Sequence, residues 1–193
     1  LSPHTLVDIK GIPECQGIAV VDGFLRIGAA APFALIANHA LVQQYAPALA
    51  EAAKKVGSVL IRNKATLAGN IQNASPAADG LGAELVLVSS RGERRIQLDE
   101  FIVGPRKTKL AVDEIILSIN IPIKKWNYTE FFKVGRRNAL AISVVNGLVA
   151  LDFKPGSWEI ANSHIVLGSV APTPLRIYEA EKLLVGKCYS DVL

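Results

Sequence analysis

The 193-residue sequence has no methionine, only two cysteines, few aromatic side chains and no long apolar run. Cys15 and Cys188 lie far apart and lack the spacing of metal ligands, which argues against an iron–sulfur cluster and favours a reducing compartment. No apolar stretch approaches the length of a membrane span, and no signal peptide opens the chain. We therefore expect a cytoplasmic protein without a membrane contact. Because an initiator methionine is missing, we also expect a processed or truncated form of a longer chain.

The net charge of the chain is also small. The formal net charge is +4, and Arg91, Arg94 and Arg95 form its only dense patch. No aromatic residues or recognition motif accompany this patch, so we expect no binding of nucleic acid. Half of the residues are hydrophobic and a fifth are charged, a balance that excludes disorder and is typical of an α/β or α+β protein.

Side chains for nucleophilic or acid–base catalysis do not form a recognisable motif. His4, His39 and His164 stand in no Ser-His-Asp or Cys-His context. The carboxylates show no pairing suited to acid–base chemistry, and only Asp79 lies in a segment rich in glycine and hydroxyl groups. We therefore predict no catalytic side chain on this chain.

The segment from Gly57 to Asp79 differs from the rest of the sequence: it reads GSVLIRNKATLAGNIQNASPAAD. Its glycine, asparagine and hydroxyl residues predict a loop with exposed backbone N–H groups and no bulky Cβ atoms, which a pyrophosphate requires. Ordinary surface turns use the same residue types, and composition alone favours that interpretation.

The order of residues in this segment resembles the second flavin-binding segment of the FAD-binding subunit of molybdenum hydroxylases, the xanthine and carbon monoxide dehydrogenase group. That family reads IRN-x-x-T-[IL]-G-G-N and then S-P-x-x-D. A spaced match of this length is more specific than a lone glycine motif. Ala68 departs from the pattern, because the family usually has glycine there. The matching residues are Ile61, Arg62, Asn63, Thr66, Leu67, Gly69, Asn70, Ser75, Pro76 and Asp79.

The resemblance extends from Leu6 to Lys187, with departures. The sequence between Asp79 and the next predicted strand is shorter than in the family, and Ala141-Ile142 replaces the Asp-Ile that usually follows the family's K-x-x-R-R. The family's first phosphate-binding string, A-G-G-T-[DS]-L, and its last helices have no counterpart. We therefore expect half of the pyrophosphate cradle to be missing from this sequence.

Local patterns predict the elements. Asp22-Gly23 between two apolar runs predicts a hairpin with a type I′ turn. A strand is expected at Leu6–Ile9, and a closing helix is expected to begin at Thr173-Pro174. Helices are also predicted from Pro32 through Leu41 and from Pro47 to Gly57, and further strands at 84–89, 115–121, 129–134, 143–153 and 160–168.

The resemblance implies an α+β fold. It is the two-subdomain FAD-binding fold of the vanillyl-alcohol-oxidase and molybdopterin dehydrogenase flavoprotein type, followed by a sheet-plus-helix C-terminal domain. We place the boundary near Pro122, with residues 1–122 as the FAD-binding domain and residues 123–193 as the flavoprotein C-terminal domain. Both domains are expected to be incomplete.

The resemblance also implies which residues bind FAD. Lys133 would lie near N1 of the isoalloxazine ring and stabilise its reduced, anionic form. Simpler interpretations stay open: Lys133, Arg136 and Arg137 as solvated charges at a strand end, Ile116 as a buried strand residue, and Asp79 as an Asx turn or helix cap. The implied FAD-binding residues are Thr66, Leu67, Ala68, Gly69, Asn70, Ser75, Asp79, Ile116 and Lys133.

The implied role is electron relay within an oxidoreductase. A large molybdopterin-binding subunit would oxidise the substrate, a small 2Fe–2S subunit would pass on the electrons, and FAD on this chain would deliver them to an acceptor such as NAD. Two alternatives stay open. One is a flavin-free structural subunit or fragment that only docks partners, which the absent first loop favours. The other is a stand-alone FAD oxidase or reductase of similar fold.

Overall fold

Two antiparallel sheets organise the chain, one in each half. The computed structural model describes residues 5–72, 81–124, 126–137 and 142–188. The first sheet has five strands in the order β1-β2-β7-β3-β4, and every neighbouring pair is antiparallel. Its strands are β1 (Ile18–Val21), β2 (Phe24–Gly28), β3 (Glu84–Ser89), β4 (Gly92–Gln97) and β7 (Ile115–Pro122).

The hairpin between β1 and β2 has the predicted turn. Asp22 and Gly23 both have positive φ angles, 49° and 80°, as a type I′ turn requires. The flanking residues Val21 and Phe24 pair directly. The hairpin prediction is therefore confirmed.

Short helices cover one face of the first sheet. Their apolar side chains, such as Phe33, Ile36 and Leu49, share a fully buried core with Ile27 and Leu85 of the sheet. Alternation along the strands places these sheet residues on one face. The helices are α1 (Phe33–Asn38), α2 (Ala40–Tyr45), α3 (Pro47–Lys54), α4 (Val59–Arg62), α5 (Leu67–Gln72) and α6 (Leu98–Phe101).

The helix predicted from Pro32 through Leu41 is interrupted. Its first part ends at Asn38, and His39 adopts an extended backbone conformation. The His39 Nδ1 atom then accepts a hydrogen bond of 3.3 Å from the Leu41 N–H and caps α2. The local cap explains the break, because a capping residue is itself non-helical.

The strand predicted at Leu6–Ile9 is wrong. Leu6 and Val7 are 85% and 80% exposed, and short 3₁₀ turns follow at Ile9–Gly11 and Pro13–Cys15. The Asp8 side chain accepts a 2.9 Å hydrogen bond from the Lys10 N–H. This local bond stabilises a turn in place of an extended strand.

The second sheet has four strands in the order β11-β10-β9-β8. One face of it joins the core of the first half, since Leu148 and Ala150 belong to the same buried cluster as Phe33. Gly147 lies where an added Cβ would come within 2.7 Å of the Phe132 ring, so a larger residue would force the neighbouring side chains to move. The strands are β8 (Tyr128–Gly135), β9 (Ser143–Phe153), β10 (Ile160–Gly168) and β11 (Leu175–Arg176).

The closing helix begins later than predicted. Leu175 and Arg176 pair with β10 as a short strand, and α7 spans Tyr178–Leu184. The predicted capping pair Thr173-Pro174 therefore precedes a strand. The Arg176 guanidinium donates two hydrogen bonds, of 2.9 and 3.0 Å, to the buried Glu181 carboxylate of α7. This ion pair holds the Arg176 side chain against α7 and favours the extended conformation of Leu175 and Arg176.

Two smaller features complete the fold. A small ribbon pairs β5 (Ile102–Gly104) with β6 (Lys107–Thr108), and Arg106 in its turn has a φ of 56°. The chain passes from the first sheet to the second between Pro122 and Tyr128. Within the described residues, no helix combines the length and apolar character needed to cross a bilayer.

Candidate functional site

The motif segment forms two short helices, α4 and α5, where a loop was predicted. Ser58 caps α4, since its Oγ atom accepts a 3.2 Å hydrogen bond from the Ile61 N–H. Thr66 precedes α5, and its Oγ1 atom accepts a 3.1 Å hydrogen bond from the Gly69 N–H. The predicted open loop is therefore wrong for Thr66–Asn70, because these hydroxyl groups act as helix caps. Ser75 and Asp79 lie outside the described residues.

The core holds one face of α5. The Phe33 N–H donates a 3.0 Å hydrogen bond to the Ala65 carbonyl oxygen, and Pro32 forms a β-bridge with Thr66. Leu67 and Ile71 are fully buried. Ala68 is also buried, so Leu67 and Ala68 can offer only main-chain atoms to a ligand. The buried face fixes the orientation of the other side of α5.

Asn70 carries the clearest sign of a ligand. Its side-chain Oδ1 atom is buried and has no hydrogen-bond partner in the part of the chain that the structure describes. A buried acceptor without a donor costs about 1–3 kcal/mol, so such atoms usually have a partner. Next to Asn70, a Cβ added to Gly69 would meet only the Thr66 Oγ1 atom, at 3.3 Å. The arrangement can accept a hydrogen bond from a ligand that lies close to the backbone.

FAD fits this acceptor. Its ribityl hydroxyls and its ring N–H group can donate a hydrogen bond to the Asn70 amide oxygen. Gly69 is exposed and has no Cβ, which permits the close approach of a large ligand to the main chain.

Ile116 lies on β7, the strand against which α5 packs. Its side chain is 3% exposed and belongs to the hydrophobic core. The structure thus brings the Ile116 strand to the motif helix, but it buries the Ile116 side chain among apolar neighbours.

Lys133 lies on β8 in the second sheet, half-buried. Its Nζ atom donates a 2.9 Å hydrogen bond to the main-chain oxygen of Lys55, the residue that follows α3. Burial, and secondly the positive charge of Lys55, lower the pKa of the Lys133 ammonium group. Lys133 is therefore tied to the end of α3 and forms no ion pair with a carboxylate of the described residues.

Arg62 and Lys55 have roles that the sequence analysis missed. The Arg62 guanidinium donates two 3.0 Å hydrogen bonds, to the carbonyl oxygens of Val56 and Gly57. The three residues that follow α3 therefore accept hydrogen bonds from Arg62 of the IRN motif and from Lys133 of β8. Cations next to the carboxyl end of a helix are favourable, and this general preference was the available signal.

The arginine patch is neutralised by acidic side chains. Arg94 donates hydrogen bonds of 2.6 and 2.7 Å to both carboxylate oxygens of Glu114, and Arg91 pairs with Asp113 at 2.9 Å. Arg95 pairs with Glu84. The Arg94 hydrogen bonds and that from the Ala111 N–H lower the pKa of Glu114 to about 2. This surface therefore carries little uncompensated positive charge.

Family models match both halves of the chain. Residues 1–124 match the FAD binding domain in molybdopterin dehydrogenase, and residues 130–193 match the CO dehydrogenase flavoprotein C-terminal domain.

Relatives with known roles match along nearly the whole chain. The nicotinate dehydrogenase FAD-subunit of Eubacterium barkeri is 34% identical over 95% of this chain and 65% of its own length. The xanthine dehydrogenase FAD-binding subunit of Escherichia coli O157:H7 is 33% identical over 92% of this chain and 63% of its own. The chain therefore spans slightly less than two thirds of the length of these relatives.

Solved structures agree in fold. Quinoline 2-oxidoreductase from Pseudomonas putida 86 superposes with a TM-score of 0.89 at 26% identity, over 97% of this chain and 67% of the matched chain. Carbon monoxide dehydrogenase from Hydrogenophaga pseudoflava, in a form that lacks the Mo-pyranopterin moiety, gives 0.85 at 30% identity, over 92% and 63%.

Proposed function

The chain belongs to the family of FAD-binding domains in molybdopterin dehydrogenases, and we propose that it is the flavin-binding part of an oxidoreductase that relays electrons. Its partners would be a large molybdopterin-binding subunit and a small 2Fe–2S subunit. Support comes from relatives that are FAD subunits of xanthine and nicotinate dehydrogenases. The division into domains at residues 122 and 123 belongs to the same proposal.

The observation that carries this proposal is the buried Asn70 Oδ1 atom without a partner among the described residues. It lies in the motif that the family uses for flavin, directly after Gly69, an exposed residue without a Cβ. An acceptor of this kind is costly unless a ligand supplies the donor. FAD has several such donors.

The proposed binding residues would have different roles. FAD, when bound, would supply the electron-transfer chemistry, since it can accept electrons from one partner and pass them to another. Thr66 and Gly69 shape the main chain at the start of α5, and the Asn70 amide would accept a hydrogen bond from the ligand. Lys133 would place a positive charge beside the ring and favour its reduced, anionic form. Leu67, Ala68 and Ile116 would support these groups from the core, with Ser75 and Asp79 as further polar contacts.

The direction of electron flow is part of the proposal. Electrons would arrive from the iron–sulfur partner and leave to an acceptor such as NAD. The exposed Arg136, directly after β8, offers positive charge for an anionic acceptor. A cytoplasmic location would be consistent with the low cysteine content of the chain.

The test is an absorption spectrum of the purified chain with and without added FAD, followed by a fluorescence titration. We expect the titration to show weak binding of FAD, and we expect gel filtration to remove the flavin, because the family's first phosphate-binding string has no counterpart in this sequence. Asn70→Ala should weaken FAD binding roughly tenfold to a hundredfold, because a ligand donor would lose its acceptor at a cost of about 1–3 kcal/mol. Asn162→Ala, at an exposed position on β10, is the matched control and should bind like the parent.

Two outcomes would overturn the proposal. A chain that takes up no FAD would favour the flavin-free structural subunit. A chain that holds FAD and turns over substrate alone, without co-purifying with a molybdopterin subunit, would favour the stand-alone flavoenzyme.

A further inference from the structure

Two lysine side chains connect the end of α3 to β8 through hydrogen bonds to main-chain oxygens. The Lys133 ammonium donates a 2.9 Å hydrogen bond to the Lys55 carbonyl oxygen. In return, the Lys55 ammonium donates a 3.2 Å hydrogen bond to the carbonyl oxygen of Phe131 and lies 5.5 Å from the centre of the Phe131 ring. The first contact joins residues that are 78 positions apart in the sequence. The second contact attaches Lys55 to β8 two residues before Lys133.

The two charges have no carboxylate to balance them among the described residues. Glu51, also on α3, pairs with Lys54 at 2.6 Å. The neighbouring cation on α4, Arg62, is engaged with the carbonyl oxygens of Val56 and Gly57. For Lys133 and Arg62, carbonyl oxygens at the end of α3 thus take the place of carboxylates, helped by the partial negative charge of a helix carboxyl end. The Lys55 ammonium uses a carbonyl oxygen of β8 instead.

Like charges held together are unfavourable unless an anion lies nearby. Both burial and the Lys55 charge disfavour the protonated Lys133. The hydrogen bonds nevertheless hold the Lys133 ammonium at the Lys55 carbonyl oxygen and the Lys55 ammonium at the Phe131 carbonyl oxygen. Two lysine ammonium groups held without a carboxylate partner suit a site that presents positive charge to a ligand, where that ligand gains negative charge during the reaction.

We propose that Lys55 is a positioning residue for the cofactor site, one that anchors α3 to β8 and thereby holds the Lys133 ammonium in place. The identity of the ligand, a flavin ring that gains negative charge on reduction, rests on the proposed function. The anchoring itself does not, since it is a property of the chain alone. Lys55 acts through Lys133 and needs no contact with the cofactor.

The first test measures Lys133 without any cofactor. Its side-chain NMR signal, identified with Lys133→Arg, is followed through a pH titration of the full chain. Lys55→Gln should raise the pKa of Lys133 toward the ordinary lysine value, because a like charge and an anchor are both removed. Lys55→Arg keeps the charge and the donor and should restore the parent value. Lys54→Gln removes the same charge one residue away and should leave Lys133 unchanged.

If Lys55→Gln moves the Lys133 pKa no more than Lys54→Gln does, Lys55 does not position Lys133 and the inference is wrong. An equal rise in Lys55→Arg and Lys55→Gln would also contradict it.

The second test uses the reduction potential of bound FAD. Lys133→Gln should lower the potential, because a positive charge near the reduced ring is lost. Lys55→Gln should lower it by a smaller amount, and should add nothing in the Lys133→Gln background, since Lys55 acts through Lys133. An additive effect in the double variant would refute the positioning role. If the chain takes up no FAD, the proposed function fails while the NMR result still decides the role of Lys55.

Discussion

At the scale of single residues, ion pairs determine what the charged side chains do. The sequence shows three arginines in a short stretch, whereas the folded chain pairs each with a carboxylate. Glu114 is the most strongly held of these acids, because it accepts two hydrogen bonds from Arg94 and one from the Ala111 N–H. These bonds favour its ionised form and lower its pKa to about 2.

This lowered pKa predicts an acid-sensitive contribution to stability. A carboxylate with a pKa below its unfolded value stabilises the fold at pH values above the unfolded pKa, near 4.5, and loses that contribution as the pH falls toward 2. Glu114→Gln should therefore be less stable at neutral pH and lose less stability than the parent between those two pH values. Urea unfolding at a series of pH values measures this difference.

Asp113→Asn is the control for Glu114→Gln. Asp113 makes one contact with the exposed Arg91, so its variant should keep the steep acid dependence of the parent. Parallel pH profiles for Glu114→Gln and the parent would refute the assignment.

At the scale of elements, the start of α5 decides how the motif segment folds. The hydroxyl of Thr66 is used by the helix, since it accepts the Gly69 N–H. Leu67 and Ile71 add a buried face that packs against the sheet. Capping and burial together convert a loop-like composition into a helix.

Thr66→Ala should accordingly destabilise the chain by about 0.5–2 kcal/mol, because one helix N–H loses its side-chain acceptor. Thr66→Ser keeps the hydroxyl and should recover most of that loss. Chemical denaturation of the cofactor-free protein provides the measurement. Equal stability of the alanine and serine variants would show that the cap does not contribute.

At the scale of the whole molecule, one hydrophobic core joins the two sheets. Leu148 and Ala150 of β9 belong to the same buried cluster as Phe33 of α1 and Leu85 of β3. The Lys55–Lys133 contact joins the same two parts of the chain. We therefore expect the halves to unfold together.

Leu148→Ala should lower the stability of the entire chain by about 2–5 kcal/mol, since it leaves a cavity in this shared core. Tryptophan fluorescence reports the second half, which contains Trp126 and Trp158, and far-UV circular dichroism reports both halves. Both probes should show one coincident transition in the parent and in the variant. Leu183→Ala, at a side chain that is 73% exposed, should change little. Separate transitions for the two probes would contradict a shared core.

The sequence by itself determined the features that depend on neighbouring residues. The β1–β2 hairpin follows from Asp22-Gly23, because the positive φ angles of its turn are a local requirement. The strands β3, β7, β9 and β10 follow from their apolar and β-branched runs and lie where they were predicted. The family followed from the spacing of the IRN and S-P-x-x-D motifs, which no composition measure would reveal. The positions of the FAD-binding residues stay predictions until flavin binding is measured.

Only the tertiary structure decided the features that depend on distant partners. Leu175–Arg176 became a strand because β10 offered main-chain groups for pairing and Glu181 held the Arg176 side chain. The predicted strand at Leu6–Ile9 found no partner strand among the described residues and formed turns. The sequence analysis did not single out Lys55, and its contact with Lys133 exists because the core brings α3 to β8. Such contacts arise from the path of the whole chain through the core, whereas a turn or a strand pattern arises from a few consecutive residues.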